Sequence, residues 1–465
     1  MIILMPKGFL KMQRINIFFL LLISHPFSQE IPNSFYEHKI EKLEREVASD
    51  WEENTTFGPI RFSNNINNDS LIINGRFGYL MDHNQRILYA YGHFTYNKYF
   101  HGYLYPRIVN DPNVIEAYSG IPMDIDRGGF TSGETDISGI SFQNDWMIIQ
   151  FGRGRQSWGA GNDIQLAISE YSNSYDYGML GLDFGKLNVR YFHGYLETDT
   201  LSFNRYITGR GIEWNNGKSF LFGLSELIIY SGYNRPIDFS YFNPMSTHLE
   251  IELNDRQNNI GTASGNGVWQ ISVDFLFMNK IRLSGNYLFD EFTLDKEQLE
   301  NDKGSGTAHS IQISYPIVDN KKSIASLYLS KISVGTNTFK HQIGNNNFVQ
   351  RGKPLGWQIG SDSEELKLGL NISYNSLITN IEIGTMNIGE KNIYNDPYLG
   401  YIDYIDEPFP SGNVENINYG KIRLQWWWKN NLSLFGQFDY KSNISNKNLG
   451  FNIGIDMFFS LNKIL

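Results

Sequence analysis

Asn448-Leu449-Gly450-Phe451-Asn452-Ile453-Gly454-Ile455-Asp456-Met457-Phe458-Phe459 is the stretch that decides the fold. Leu449, Phe451, Ile453, Ile455, Met457 and Phe459 share one parity; Asn448, Gly450, Asn452, Gly454 and Asp456 share the other. Successive side chains of a strand point to opposite faces, so this segment reads as a strand with one apolar and one polar face. The two segments before it do the same. Ile422, Leu424, Trp426 and Trp428 oppose Lys421, Arg423 and Gln425, and Leu432, Leu434, Phe438 and Tyr440 oppose Ser433, Gln437 and Asp439. Each segment is about ten residues long, enough for a tilted strand to cross the hydrocarbon of a bilayer. A soluble sandwich also alternates, but it seldom places so many large apolar side chains on one face of strand after strand. The expected fold is all-β: a transmembrane antiparallel β-barrel.

Similar runs recur upstream: Leu71 to Leu80, Gln85 to Thr95, Thr135 to Phe142, Asp145 to Phe151, Tyr177 to Phe184, Leu187 to Leu196, Phe203 to Trp214 and Ser219 to Tyr230. They continue through Val268 to Phe277, Ile281 to Asp290, Ser310 to Tyr315, Ile324 to Leu329, Leu366 to Tyr374 and Ile378 to Gly384. Turn-forming pairs such as Asn279-Lys280, Asp319-Asn320 and Asn375-Ser376 separate many of them. At roughly 22–25 residues per strand and connection, the chain after residue 56 holds about 16–18 strands, an even number as such barrels use. Short connections alternate with long polar ones near 106–134, 154–175, 231–266, 291–306, 335–363 and 387–417. Short periplasmic turns and long extracellular loops are the outer-membrane pattern.

The start of the chain supplies an address. Lys11, Met12 and Arg14 precede the short apolar run Ile15 to Ile23, and Ser24 to Gln29 follow it. Residues 1–29 therefore read as a secretory signal peptide, with an uncleaved anchor as the alternative. Over residues 30–55, Ile40, Leu43 and Val47 recur at helical spacing among charges, which predicts a short periplasmic helical leader or a frayed approach to the barrel. Residues 56–465 form the barrel. The composition fits: no cysteine, 44 glycines, 28 tyrosines and 32 phenylalanines, the last two suited to aromatic girdles. The absence of cysteine removes disulfides and thiolate metal sites. A net charge of -10 argues against nucleic acid as a partner. The expected physical partners are outer-membrane lipid and, during biogenesis, the barrel assembly machinery.

Charges on the polar parity must face the lumen, because on the lipid face they cost about 2–4 kcal/mol at mid-depth. These are Arg76, Arg190, Arg282, Lys367, Arg423, Asp274, Asp439 and Asp456. They line either a channel or a lumen plugged by interlocking ion pairs. Catalytic patterns are weak. Gly211 to Ser219 has one residue too many between its glycines for a phosphate loop and reads as a hairpin. The acid pairs Asp124 with Asp126 and Asp290 with Glu291 could serve glycoside hydrolysis or calcium, but they fall in or beside polar loops where solvated acids are common. No cofactor, no metal and no enzymatic activity are expected.

The most distinctive stretch is Phe151-Gly152-Arg153-Gly154-Arg155-Gln156-Ser157-Trp158-Gly159-Ala160-Gly161-Asn162-Asp163. Arg153, Arg155, Trp158 and Asp163 are the candidate site residues. Guanidinium forks and an indole face suit recognition of a sugar or uronic acid. The same residues suit a loop folded inward and braced on carboxylates. Three ordered stretches carry a likeness to a known family. They are Gly152-Arg153 through Trp158-Gly159-Ala160-Gly161 to Ser169, with Asp176 and Tyr191 to Leu196; Phe222 to Glu226 with Tyr230-Ser231-Gly232 and Tyr241-Phe242-Asn243-Pro244; and Tyr287 to Phe292. Over about residues 60–300 the chain resembles the Wzi-type capsule assembly family, whose loop tends to Trp-Gly-Pro-Gly where this chain has Ala160. The resemblance implies a non-enzymatic surface lectin that binds capsular or exopolysaccharide and helps assemble or anchor the capsule. The lumen charges leave a porin-like channel for small polar or anionic solutes as the alternative.

Overall fold

The computed structural model describes residues 51, 54–58, 71–97, 99–115, 117–123, 127–258, 265–291, 306–320, 322–400, 408–429, 431–443 and 446–464. The expected signal peptide, most of the helical leader and the pair Asp124 with Asp126 lie outside these residues. The strands are β1 (Leu71–Met81), β2 (Arg86–Tyr96), β3 (Phe100–Val109), β4 (Ser132–Gln143), β5 (Met147–Gly154), β6 (Tyr175–Asp183), β7 (Leu187–Thr198), β8 (Phe203–Asn215), β9 (Phe220–Tyr233) and β10 (Asn266–Phe277). They continue with β11 (Ile281–Glu291), β12 (Gly306–Asn320), β13 (Ser323–Val334), β14 (Val349–Gln350), β15 (Lys353–Pro354), β16 (Ser363–Tyr374), β17 (Leu377–Ile388), β18 (Glu415–Lys429), β19 (Leu432–Ser442) and β20 (Lys447–Ile464). β14 and β15 pair only with each other; the other eighteen form one sheet. Each strand pairs antiparallel with its neighbours, and β1 pairs with β20, Phe77 opposite Phe459 and Tyr79 opposite Met457. The sheet is a closed barrel with no free edge.

Alternation places the side chains as expected. In β20, Phe451 and Phe459 are 69% and 76% exposed on the outer wall, while Asp456 and Phe458 are buried inside. Exposed Leu366, Leu368, Ile422, Leu424, Trp426 and Trp428 extend the apolar belt around the barrel. A belt of this extent is stable only against lipid. No helix among the described residues is long and apolar enough to cross a membrane; the strands do the crossing.

One strand escapes the alternation rule. β3 is absent from the strands read from the sequence, which place a long loop from about residue 106; both its faces are aromatic or apolar, and it contains Pro106. Phe100, Leu104 and Ile108 face outward, and Tyr103 and Tyr105 face inward. Proline cannot donate to a ladder, and the register shifts between Tyr105 and Pro106, the kind of bulge where a strand tolerates it.

At the end where β1 begins, every connection spans no more than four residues. The long connections 110–131, 155–174, 234–265, 292–305, 335–362 and 389–414 all lie at the opposite end. The barrel thus has a short-turn end, which holds the start of β1 and the end of β20, and a loop end.

Candidate functional site

The site is the lumen and the loops that fill it. From the short-turn end, the segment around Trp51 to Gly58 enters the barrel. The Trp51 ring is buried against Leu221 and Leu276, with the Arg282 guanidinium 5.8 Å from its centre. Asn54 Nδ2 donates to Asp274 Oδ2 at 3.0 Å, and Arg282 Nε donates to both Asp274 oxygens at 2.9 and 3.0 Å. The Thr56 backbone N–H and hydroxyl donate to Glu213 Oε2 at 2.7 and 2.8 Å, and the Thr55 hydroxyl also donates to Glu213. These contacts bolt the segment to the walls of β8, β10 and β11. Trp51, Asn54 and Thr55, the last part of the expected leader, run inside the barrel.

From the loop end, residues 155–174 fold inward to meet it. Phe57 and Trp158 form a bridge, with the Gly58 N–H donating to Ser157 O at 3.0 Å and the Gly159 N–H to Thr56 O at 2.8 Å. The Trp158 ring is 1% exposed and packs edge-on against Phe57 (4.9 Å) and Phe192 (5.1 Å). Polar inward residues of the far wall then hold the loop backbone. Asn286 accepts from the Ala160 N–H at 2.7 Å and donates to Ala160 O at 3.0 Å. The Ser310 hydroxyl donates to Ile164 O at 2.7 Å, and Gln312 Oε1 accepts from the Asn162 N–H at 3.1 Å. Ala160 therefore uses an N–H that a proline would lack. Gly161 takes φ 77°, a left-handed turn that glycine enters without strain.

A third layer seals the loop. Trp357 N–H donates to Leu166 O at 3.0 Å, and Ser169 N–H donates to Leu355 O at 2.9 Å. At Gly356 a Cβ would sit 1.7 Å from Leu166 O, so only glycine permits this approach. Residues 389–400 of loop 389–414 cover the top: Asn347 Nδ2 donates to Pro397 O and Leu399 O at 3.1 and 3.2 Å. Burial pushes the Tyr398 phenol up to about 12. It stays protonated and donates to Glu197 Oε1 at 2.8 Å. Buried Ile164, Leu166, Ile168, Phe348, Leu355 and Trp357 give the plug its own apolar core.

The candidate residues fall into different places. Arg155 is buried, donating Nε to Ser172 O at 2.7 Å and Nη2 to Asp136 Oδ1 at 2.7 Å and Ala117 O at 3.0 Å. Asp163, at φ 57°, accepts from the Tyr171 hydroxyl at 2.5 Å. In this arrangement Arg155, Trp158 and Asp163 brace the loop, and the Trp158 ring has no face open to a sugar. Arg153 is not in the loop. It belongs to β5 on the outward parity of Phe151, 3.4 Å from the exposed Asp176. The strand runs on through Gly154, and Gly152 serves a close strand approach: a Cβ on Gly152 would lie 2.2 Å from Ser138 O.

The eight lumen charges all share inward parity, with different surroundings. Arg282 and Asp274 pair on the wall, against the Asn54 side of the plug. The Arg190 guanidinium is buried, with Nη1 donating to Leu182 O at 3.4 Å and to Val189 O at 3.3 Å. Asp456 accepts from the Tyr89 hydroxyl at 2.8 Å, and Arg76 stands 4.6 Å over the Phe458 ring. Lys367 is 3.9 Å from Glu365. Asp439 accepts from Gln437 at 2.5 Å. Inward side chains of β7–β13 are almost wholly buried, whereas Asn380, Lys421, Arg423, Gln437, Asp439, Asn452 and Arg76 are only half-buried. The plug packs against one side of the lumen and leaves a polar strip along β17–β20 and β1. Among the described residues no three His, Asp or Glu side chains are grouped to hold a metal. Asp290 of the second acid pair caps the Phe339 N–H.

A closed, loop-plugged, 18-stranded barrel of the outer-membrane type is the class these features define. The fold is that of Wzi, an outer-membrane protein involved in group 1 capsule assembly in Escherichia coli and described as a carbohydrate-binding β-barrel: TM-score 0.58, 84% of each chain covered, 12% identity. The chain also has structural similarity to OprD of Pseudomonas aeruginosa (TM-score 0.44, 9% identity, 89% of this chain and 98% of that one). OccAB4 of Acinetobacter baumannii gives a TM-score of 0.43 at 7% identity, over 86% of this chain and 100% of that one. No family model and no curated protein matches the sequence.

Sequence reasoning missed the loop-end surface. Tyr394 is exposed on loop 389–414, with its hydroxyl donating to Gln358 O at 2.6 Å. Exposed Lys391, Arg351 and Lys353 lie on the same two packed loops. A lone tyrosine and scattered cations in polar loops carry no periodic signal; only the docking of the loops groups them.

Proposed function

We propose that this protein resides in the outer membrane with its loop end outward and binds anionic capsular or exopolysaccharide there, without catalysis. The observation that carries the reading is the rigid cap. Loops 155–174, 335–362 and 389–414 are locked together, so Tyr394 and its neighbouring cations are presented on a fixed surface. An exposed ring offers a stacking face to the C–H side of a sugar, and guanidinium and ammonium groups suit carboxylated residues. Pre-ordered loops lose little entropy on binding. The Wzi fold supports this reading. In detergent, the purified barrel is expected to retain an anionic polysaccharide, and Tyr394→Ala to weaken retention about fivefold, roughly 1 kcal/mol. Absence of retention by the wild type on a panel of anionic and neutral polysaccharides sinks the proposal.

The polar strip favours a second reading, a path for small anionic solutes past the plug beside Lys421 and Arg423. Planar-bilayer recording separates the two. Steady, anion-preferring current through the wild type, reduced in preference by Arg423→Gln, supports the channel; a silent bilayer removes it.

A further inference from the structure

The described part of loop 234–265 does not stand above the barrel. Asn234 to Asn258 fold down over the outside of β7–β10. The side chains beneath it point away from the lumen. Tyr191 and His193 share the parity of exposed Leu187 and Tyr195; Arg210 shares that of exposed Ile212 and Trp214; Glu226 shares that of exposed Phe222. All four are buried by the strap. The Tyr191 hydroxyl donates to Tyr241 O at 3.0 Å, the His193 ring stacks on Phe242 at 4.6 Å, and Tyr230 stacks on Tyr241 at 4.6 Å. Arg210 donates to Asn243 O at 3.1 Å and pairs with Glu226 at 3.2 Å. Glu226 also meets His248 Nδ1 at 2.6 Å. The wall and strap are in van der Waals contact, since a Cβ on Gly267 would lie 2.5 Å from the His248 ring.

The height of this cluster matters. Glu226 follows Phe220, at the short-turn end of β9, by six positions. At ~3.3 Å per residue and a tilt near 40°, that is about 15 Å up the barrel, inside an apolar band about 25 Å tall. Charge at that depth on the lipid side is strongly unfavourable unless something covers it. What covers it carries several apolar side chains on its far side, beside one exposed ion pair, Arg256 with Glu250. The helix α1 (His248–Leu253) turns His248 and Ile251 to the wall and Leu249 and Leu253 away from it. Leu253 is 81% exposed, Met245 82% and Phe239 71%. This surface continues the belt formed by Trp214, Ile212 and Phe222 directly below it.

We propose that the strap is a lipid-contacting element: Phe239, Met245, Leu249 and Leu253 lie against the acyl chains of the loop-side leaflet, and the strap replaces the barrel wall as the membrane surface over the Arg210–Glu226–His248 cluster. The proposal depends on the barrel crossing a membrane and is independent of what the loop end binds. Lipid, and not a second copy of the chain, is the occupant because the apolar patch adjoins the outward belt residues Ile212, Trp214 and Phe222 and covers wall residues that lie within the apolar band.

The chain has no cysteine, so single cysteines report without interference. Met245→Cys and Leu253→Cys, at outward positions that leave the buried cluster intact, are labelled with bimane and reconstituted in phosphatidylcholine vesicles carrying doxyl-labelled acyl chains. Phe222→Cys serves as the belt reference and Ile121→Cys, on loop 110–131, as the water reference. Each variant is first checked for folding by heat-modifiability on a gel. Both strap labels are expected to be quenched by doxyl lipid within twofold of Phe222→Cys, and by aqueous iodide at least fivefold less than Ile121→Cys. Iodide quenching equal to that of Ile121→Cys overturns the proposal, placing the strap in water. So does cysteine cross-linking between copies with loss of doxyl quenching, which assigns the surface to a second copy.

Discussion

Trp158→Ala is expected to open the plug. The ring is enclosed by Phe57 from the short-turn side and Phe192 from the wall, and its backbone is one half of the only bridge that ties the two inward segments together among the described residues. Truncating a fully buried tryptophan removes its apolar area and leaves a cavity that a tightly packed barrel interior cannot collapse around, a loss of about 3–5 kcal/mol. The strand ladders of the barrel wall do not depend on this ring, so the loss falls on the plug. The variant should stay a folded, heat-modifiable barrel while its current in planar bilayers rises and fluctuates above the wild-type level. Limited proteolysis should also begin to cut within residues 155–174. An unchanged current together with unchanged proteolysis would show that the ring does not hold the lumen closed.

Arg282→Ala should be nearly as damaging, for an electrostatic reason. Asp274 is buried, and its carboxylate is held by the Arg282 fork, by Asn54 and by the Ser284 hydroxyl at 3.1 Å. Removing the guanidinium strands a buried negative charge, which costs about 3–5 kcal/mol when one partner of such a pair is deleted. Removing both charges, as in Arg282→Met with Asp274→Leu, should cost much less, since the desolvation of both groups goes with them. The comparison of single and double variants by thermal unfolding in detergent tests this directly. Equal destabilisation by the two would mean that the pair acts through packing alone. Because Asn54 shares the site, the single variant should also release the segment around Trp51 to Gly58 to protease added at the short-turn end.

Much of the wall was legible. A polar–apolar alternation needs only neighbours two apart, and lipid outside with a wet or polar interior inside enforces it at nearly every strand. β3 was not legible because Tyr103 and Tyr105 make its inner face aromatic, erasing the contrast, and Pro106 mimics a strand end. The strap had a signal that could have been read. His193, Arg210 and Glu226 sit on the parity of Ile212, Trp214 and Phe222, where charge is tolerated only under cover. The segment that follows, with Phe239, Phe242, Met245, Leu249 and Leu253, has the apolar surface to provide that cover. The candidate loop was found by its residues, but their roles were not. Arginines and an indole suit a sugar or a brace equally well until burial is known.

The amino-acid pattern by itself determined that this chain crosses a bilayer with strands, which side chains face outward, and which end carries the long loops. Those are consequences of period-two geometry against two solvents, and they are written locally. Tertiary structure alone decided that one loop turns into the lumen to meet Phe57, that another turns outward over the wall, and that Tyr394 is left on the surface. These outcomes depend on contacts such as Phe57 with Trp158 and Glu226 with His248, between segments that share no periodicity. The fit of one surface to another selects them, and no local repeat records it.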